Sequence, residues 1–194
     1  MIDAIIFDFG DIFINIDNDI CMNELKKLGL KEWNDDLANL NVQYETGKID
    51  ELEFFTGFQK HIPNHDVVEI RAAWNTLLQD FPLERLEFLQ MITSKYKLYL
   101  LSNTDRTHIE KFEHKFGMSF ARDFYSCFEK VYFSFEFGFR KPDEKAFQPA
   151  RHPAGSGPGD MDRPHTLGAL HGNPVDPRWP GARRHHQRRG RRHR

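Results

Sequence analysis

Ala4-Ile5-Ile6-Phe7 is an unbroken apolar run with no polar alternation. That pattern predicts a parallel strand buried on both faces. It runs straight into Asp8-Phe9-Gly10, which sets a carboxylate at the strand's C-terminal end. Open α/β sheets bind ligands at that edge, because strand ends and helix starts converge there.

Four amphipathic stretches follow. Cys21, Leu25 and Leu28, then Trp33, Leu37, Leu40 and Tyr44, recur at helical spacing, with Gly29 and Gly47 as stops. Leu52, Phe55, Phe58 and Ile62 form a third apolar face, preceded by Asp50 and Glu53 at the spacing of a capping box. Val67, Ile70, Trp74 and Leu77 form the fourth. Trp33, Phe55 and Trp74 read as core of a small helical bundle rather than as substrate contacts.

A helix carrying Leu86, Leu89 and Ile92 leads into the strand Lys97-Leu98-Tyr99-Leu100-Leu101, which ends in Ser102-Asn103-Thr104-Asp105. A helix over Ile109, Phe112 and Phe116 stops at Gly117. Val131-Tyr132-Phe133 then reads as a third strand before Gly138-Phe139-Arg140-Lys141-Pro142-Asp143, with Pro142 opening a helix through Phe147. Strands and helices alternating on both sides of the bundle predict an α/β, Rossmann-like parallel sheet with an all-helical insertion after its first strand. Residues 1–16 and 82–147 form the α/β core in this reading, and residues 17–81 the insertion, a candidate lid.

Composition divides the chain at one point. Up to residue 147 there are 17 basic and 26 acidic residues and all 18 Phe; from residue 148 there are 10 Arg, 3 Asp, and no Lys, Ile, Phe or Tyr. Residues 148–194, rich in Arg, Pro, Gly and His, carry no helical or strand period. They read as a disordered tail or as the product of out-of-frame translation. Two cysteines, Cys21 and Cys127, are too few for a disulfide framework. With no long apolar run and no basic leader, the chain reads as cytoplasmic and without a membrane partner.

The order of strand plus Asp8, helical insertion, strand plus Ser102-Asn103, and Lys141-Pro142 resembles the haloacid dehalogenase superfamily of hydrolases. Ile6-Phe7-Asp8-Phe9-Gly10 matches its first motif, Leu100-Leu101-Ser102-Asn103-Thr104 its second and Gly138-Phe139-Arg140-Lys141-Pro142-Asp143 its third. Three weak motifs in order make a strong one. The resemblance implies a capped, Mg²⁺-dependent phosphatase of a small phosphorylated metabolite. Asp8 would be the nucleophile, Lys141 catalytic, Ser102, Asn103 and Lys141 the phosphate holders, and Asp8 with the Gly10 backbone carbonyl the metal ligands. The chemistry needs such groups on its own account: a carboxylate to take the phosphoryl group, and donors and cations to hold its charge.

Two departures matter. Gly10 stands where this family's phosphatases carry a general acid, as it does in a subgroup resembling bacterial sugar-1-phosphate phosphatases; an aromatic residue, as in the dehalogenases, is absent. Asp11 is adjacent, but in an extended chain it points to the opposite face. The family's fourth motif, a strand ending in paired acids, is expected near His165, and no such strand is legible. Asp160 and Asp162 are flanked by Gly and Pro, which argues against a strand. The C-terminal part of the core therefore reads as missing or replaced, and an inactive truncated or frameshifted member is the alternative. A second alternative is a binding protein whose basic tail, with His185 and His186, grips nucleic acid; structureless charge runs argue against that. Arg140 reads as a surface charge.

Overall fold

The computed structural model describes residues 2–148. The expectations for Asp160, Asp162, His165 and the basic tail lie outside the described residues.

Strand β1 (Ala4–Phe7) is followed by four helices, α1 (Asn18–Lys27), α2 (Asp35–Glu45), α3 (Glu51–Gln59) and α4 (Val67–Trp74). Helix α5 (Leu83–Ile92) leads to β2 (Lys97–Ser102), then α6 (Arg106–Phe116), α7 (Met118–Tyr125), β3 (Lys130–Phe133) and the short α8 (Ser134–Phe137). The strands form a parallel sheet in the order β1-β2-β3, with Phe7 level with Leu100 and Ser102 level with Phe133. The α/β fold with its helical insertion is thus as expected.

The central strand β2 is covered on both faces. Leu98 and Leu100 enter a core crowded with Phe9, Phe13, Phe112, Phe124 and Phe133, whereas Tyr99, Leu101 and Tyr132 make a smaller cluster on the other face. Helices α6 and α7 supply the larger core's aromatic pairs, such as Phe112 on Phe124 at 5.9 Å. Each fully buried Phe contributes about 1.5–3 kcal/mol of burial free energy.

Strand β1 departs from the expectation of burial on both faces. Among the described residues it pairs with β2 alone. Ile5 and Phe7 pack on the Phe-rich core, but Ile6, in register with Tyr99, remains 42% exposed because the small cluster on that face does not reach it. An edge of this kind offers unpaired backbone groups.

The four inserted helices have an apolar core of their own, built on Leu25, Leu37, Phe54, Phe58, Ile70 and Trp74. Asp50 and Glu53 form the expected capping box of α3, and Asp66 with Glu69 forms another on α4. Leu52 is exposed, and Phe54 takes the place expected of it, since the face of α3 that meets α2 and α4 is rotated toward Phe54, Phe55 and Phe58. Trp33 is also not core: it is 37% exposed and stacked on Trp74 at 6.1 Å. Pro142 does not open a helix. Its peptide bond with Lys141 is cis, and a 3-10 turn over Glu144–Phe147 starts at Asp143, whose carboxylate accepts from the Lys145 N–H.

Candidate active site

Asp8 follows the last residue of β1, and Ser102 ends β2 beside it. Parallel pairing of the two strands is what brings both to one sheet edge. Lys141 comes from the loop after β3 and α8. Its Nζ lies 2.7 Å from Asp8 Oδ2 and donates to the Leu101 carbonyl at 2.8 Å. The other carboxylate oxygen, Asp8 Oδ1, accepts from the Phe9 N–H. Asp8 is half-exposed and Lys141 largely covered. Asp8, Ser102 and Lys141 therefore share this edge, with Asn103 directly after Ser102 and Gly10 on the loop just beyond Asp8.

Asn103 has a use that the motif did not disclose. Its side-chain amide grips the Lys141 backbone at both ends, Oδ1 accepting from the Lys141 N–H at 2.8 Å and Nδ2 donating to the Lys141 carbonyl at 2.9 Å. Ser134, wholly buried at the start of α8, likewise holds Thr104 through its hydroxyl, which accepts from the Thr104 N–H and donates to the Thr104 carbonyl. Both loops are fixed by side chains that satisfy backbone groups left free where the strands end.

Asp11 is not extended. Its φ is 59°, and its carboxylate accepts from the Ile16 N–H, closing the turn after Gly10. Nor is Arg140 a free surface charge: Arg140 Nε lies 3.1 Å from Glu45 Oε2 at the end of α2. Burial raises the Glu45 pKa against the opposing pull of Arg140.

A cavity of about 280 Å³ extends from Gly10, Ser102 and Asn103 to Trp33, Trp74 and Glu45 of the inserted helices. At its edge lies a cluster that spacing alone could not assemble. Asp105 caps α6, accepting from the His108 N–H, and is joined by the indole N–H of Trp74 from α4. The signal that could have found Asp105 is an Asp at a helix start, three residues before the N–H it caps; its partner on α4 leaves no such signal in the sequence. Cys21, also beside the cavity, is a free thiol that burial pushes up to about 11.

The donors at this edge suit a hard cation. Asp8 offers a half-exposed carboxylate, and among the described residues the Gly10 carbonyl accepts no hydrogen bond. Mg²⁺ is commonly held by one or two carboxylates, substrate phosphate and its own waters, so these two oxygens fit it. No cluster of three or more acidic, His or Cys ligands exists among the described residues.

No family model matches the chain. Among solved structures it resembles a HAD family enzyme of Bacteroides thetaiotaomicron, with 30% identity, a TM-score of 0.70, and coverage of 81% of this chain and 80% of that one. The chain belongs to the HAD family. The same Bacteroides enzyme has been solved in complex with magnesium and inorganic phosphate, matching at a TM-score of 0.69. A HAD-like family hydrolase from Porphyromonas gingivalis matches at 25% identity and a TM-score of 0.65, over 80% of this chain and 78% of that one. Among curated proteins, the D-ribitol-5-phosphate phosphatase of Bacteroides thetaiotaomicron is 27% identical, over 76% of this chain and 74% of its own. In this HAD-like hydrolase Asp8, Ser102, Asn103 and Lys141 lie at one sheet edge. No helix among the described residues is long and apolar enough to cross a membrane.

Proposed function

We propose that this protein is a cytoplasmic Mg²⁺-dependent phosphatase that hydrolyses the phosphomonoester of a sugar or sugar alcohol, with residues 17–81 as its cap over a core of residues 1–16 and 82–147. The observation that carries the reading is Asp8 Oδ2 held 2.7 Å from Lys141 Nζ beside Ser102. A nucleophile, a cation and a hydroxyl donor at one edge are the parts that phosphoryl transfer requires.

In this mechanism an Asp8 oxygen attacks phosphorus as the ester P–O bond breaks, and the departing alkoxide takes a proton from water. Water then attacks the aspartyl phosphate, the Asp8–phosphorus bond breaks, and orthophosphate leaves with the carboxylate regenerated. Lys141, the Ser102 hydroxyl and the Asn103 backbone N–H hold the charge on the phosphoryl oxygens. Asp8 and the Gly10 carbonyl would hold Mg²⁺, which when bound supplies charge screening between the carboxylate and the phosphate dianion. Gly10 provides no acid, so the leaving group is protonated from solvent, and esters with stabilised leaving groups are the faster substrates.

The sugar class rests on the phosphatase relative of Bacteroides thetaiotaomicron. The test is phosphate release from D-ribitol 5-phosphate, a sugar 1-phosphate and p-nitrophenyl phosphate with and without Mg²⁺, in the native chain and in Asp8→Asn. The amide cannot attack phosphorus, so the variant should be inactive on all three; retained turnover would overturn the mechanism.

A further inference from the structure

The end of α4 and the start of α6 are joined by hydrogen bonds that close on themselves. Trp74 Nε1–H donates to Asp105 Oδ2 at 3.1 Å, and His108 Nδ1 lies 3.0 Å from that same oxygen. On the far side of the ring, His108 Nε2 lies 3.2 Å from the carbonyl of Trp74 itself. A carboxylate and a carbonyl can only accept, so each ring nitrogen must bring a proton. The arrangement is satisfied by an imidazolium. It is buried, Asp105 being 1% exposed and His108 5%. The indole and imidazole rings are also stacked, 5.3 Å apart and 14° from parallel.

Helix electrostatics favour the same charges. Trp74 is the last residue of α4, where free carbonyls carry partial negative charge, and the imidazolium sits against one of them. Asp105 is the N-cap of α6, where free N–H groups carry partial positive charge. Each member of the pair neutralises its partner and one helix end, which offsets the desolvation of two buried charges. The Asp105 carboxyl is held below its usual range by the His108 charge and by hydrogen bonds from His108 and Trp74, against burial; His108 is raised by Asp105, also against burial.

We propose that Trp74, Asp105 and His108 form a clasp that fixes the inserted helices over the phosphate-holding loop, with His108 acting as a positioning residue in its imidazolium form. Asp105 lies three positions beyond Ser102, in the loop that grips Lys141 through Asn103, so anchoring Trp74 to Asp105 ties one wall of the cavity to the reacting groups. Nothing in the hydrolysis requires the clasp to touch the reacting atoms. The clasp rests on the phosphatase reading for its kinetic readout alone.

The experiment uses the full chain with Trp179→Phe, leaving Trp33 and Trp74 as the emitters. A stacked imidazolium quenches indole fluorescence, so emission should rise as base deprotonates His108, at a pH above that of free imidazole. His108→Gln should lose that step. The other titratable groups facing the pair are Glu45 and Tyr44 on α2, Cys21 on α1 and Glu110 on α6. Cys21→Ala separates the thiol, which titrates in the same direction.

Trp74→Phe, which keeps the ring and deletes the N–H, should raise KM for the sugar phosphate more than it lowers kcat, because Asp8 and Lys141 keep their own contacts. A native chain without the emission step, or a Trp74→Phe variant that loses kcat at unchanged KM, would overturn the clasp. A chain that hydrolyses no phosphoester would count against the phosphatase reading, and the titration would then decide the clasp by itself.

Discussion

Lys141 Nζ and Asp8 Oδ2 lie 2.7 Å apart although they come from opposite ends of the described chain. Lys141 is placed there from its backbone outward: the Asn103 amide fixes its N–H and carbonyl, and the Leu101 carbonyl takes a proton of its ammonium. The cation that faces the carboxylate is thus anchored at the C-terminal end of β2, beside the strand that leads into Asp8.

Lys141→Ala should lower phosphate release from p-nitrophenyl phosphate by about 10²–10³-fold, the usual loss when a group holding transition-state charge is removed. The urea midpoint should move little, since the Asp8 side of the pair is half-exposed and such pairs add little stability. An unchanged rate would return Lys141 to a surface charge.

Asn103→Ala removes two hydrogen bonds to the Lys141 backbone and should cost about 1–3 kcal/mol by urea denaturation, at about 1 kcal/mol each. Turnover should fall with it, because Lys141 loses its grip. A variant that is destabilised yet fully active would show that Lys141 finds its place without the amide.

Gly10→Asp tests the missing general acid. A Cβ at Gly10 would meet only the Ile16 side chain, at 3.4 Å, and the backbone there needs no positive φ, so a side chain fits. If the new carboxyl reaches the leaving oxygen, hydrolysis of D-ribitol 5-phosphate should rise by about 10²–10⁴-fold, and that of p-nitrophenyl phosphate, whose leaving group needs no proton, much less. Equal changes in the two rates would exclude this role.

The Asp105–His108 pair predicts the shape of stability against pH. His108 is raised in the fold, so its contribution is complete below the ordinary imidazole value of about 6.5 and is lost as pH rises through the raised value. Asp105 is lowered, so its contribution is complete above about 3.9 and is lost as pH falls through the lowered value. Urea midpoints should therefore hold between these two limits, and His108→Gln should flatten the alkaline decline. An alkaline limb identical in that variant would assign the decline to other groups.

Gly47→Ala should destabilise the fold. Gly47 has φ 64°, and a Cβ there would fall inside the contact distance of the Phe135 carbonyl oxygen, which leaves backbone as the only thing to yield. Because α2 meets α8 at this point, the variant should also loosen Glu45 from Arg140. Thermal melting of Gly47→Ala beside Gly29→Ala is the check: Gly29 also has positive φ but open space around it, so its loss should be the smaller one.

Local pattern determined much of this protein. The apolar runs of β1 and β2, the helical spacing of the four inserted helices and the capping box at Asp50 depend on neighbours within a few residues, and all were legible. So were Asp8, Ser102, Asn103 and Lys141 as candidates, since each falls where a strand ends or just past one, or within a recognisable motif. Which of two apolar faces is buried was decided by packing between helices, and it moved Leu52 and Trp33 out of the core and Phe54 into it. Contacts between groups far apart in sequence were closed to pattern reading altogether. The Asn103 amide on the Lys141 backbone, Glu45 with Arg140, and Trp74 with Asp105 and His108 exist because the fold brings unlike segments together, and a hydrogen bond depends on distance and direction in space, which spacing along the chain does not encode.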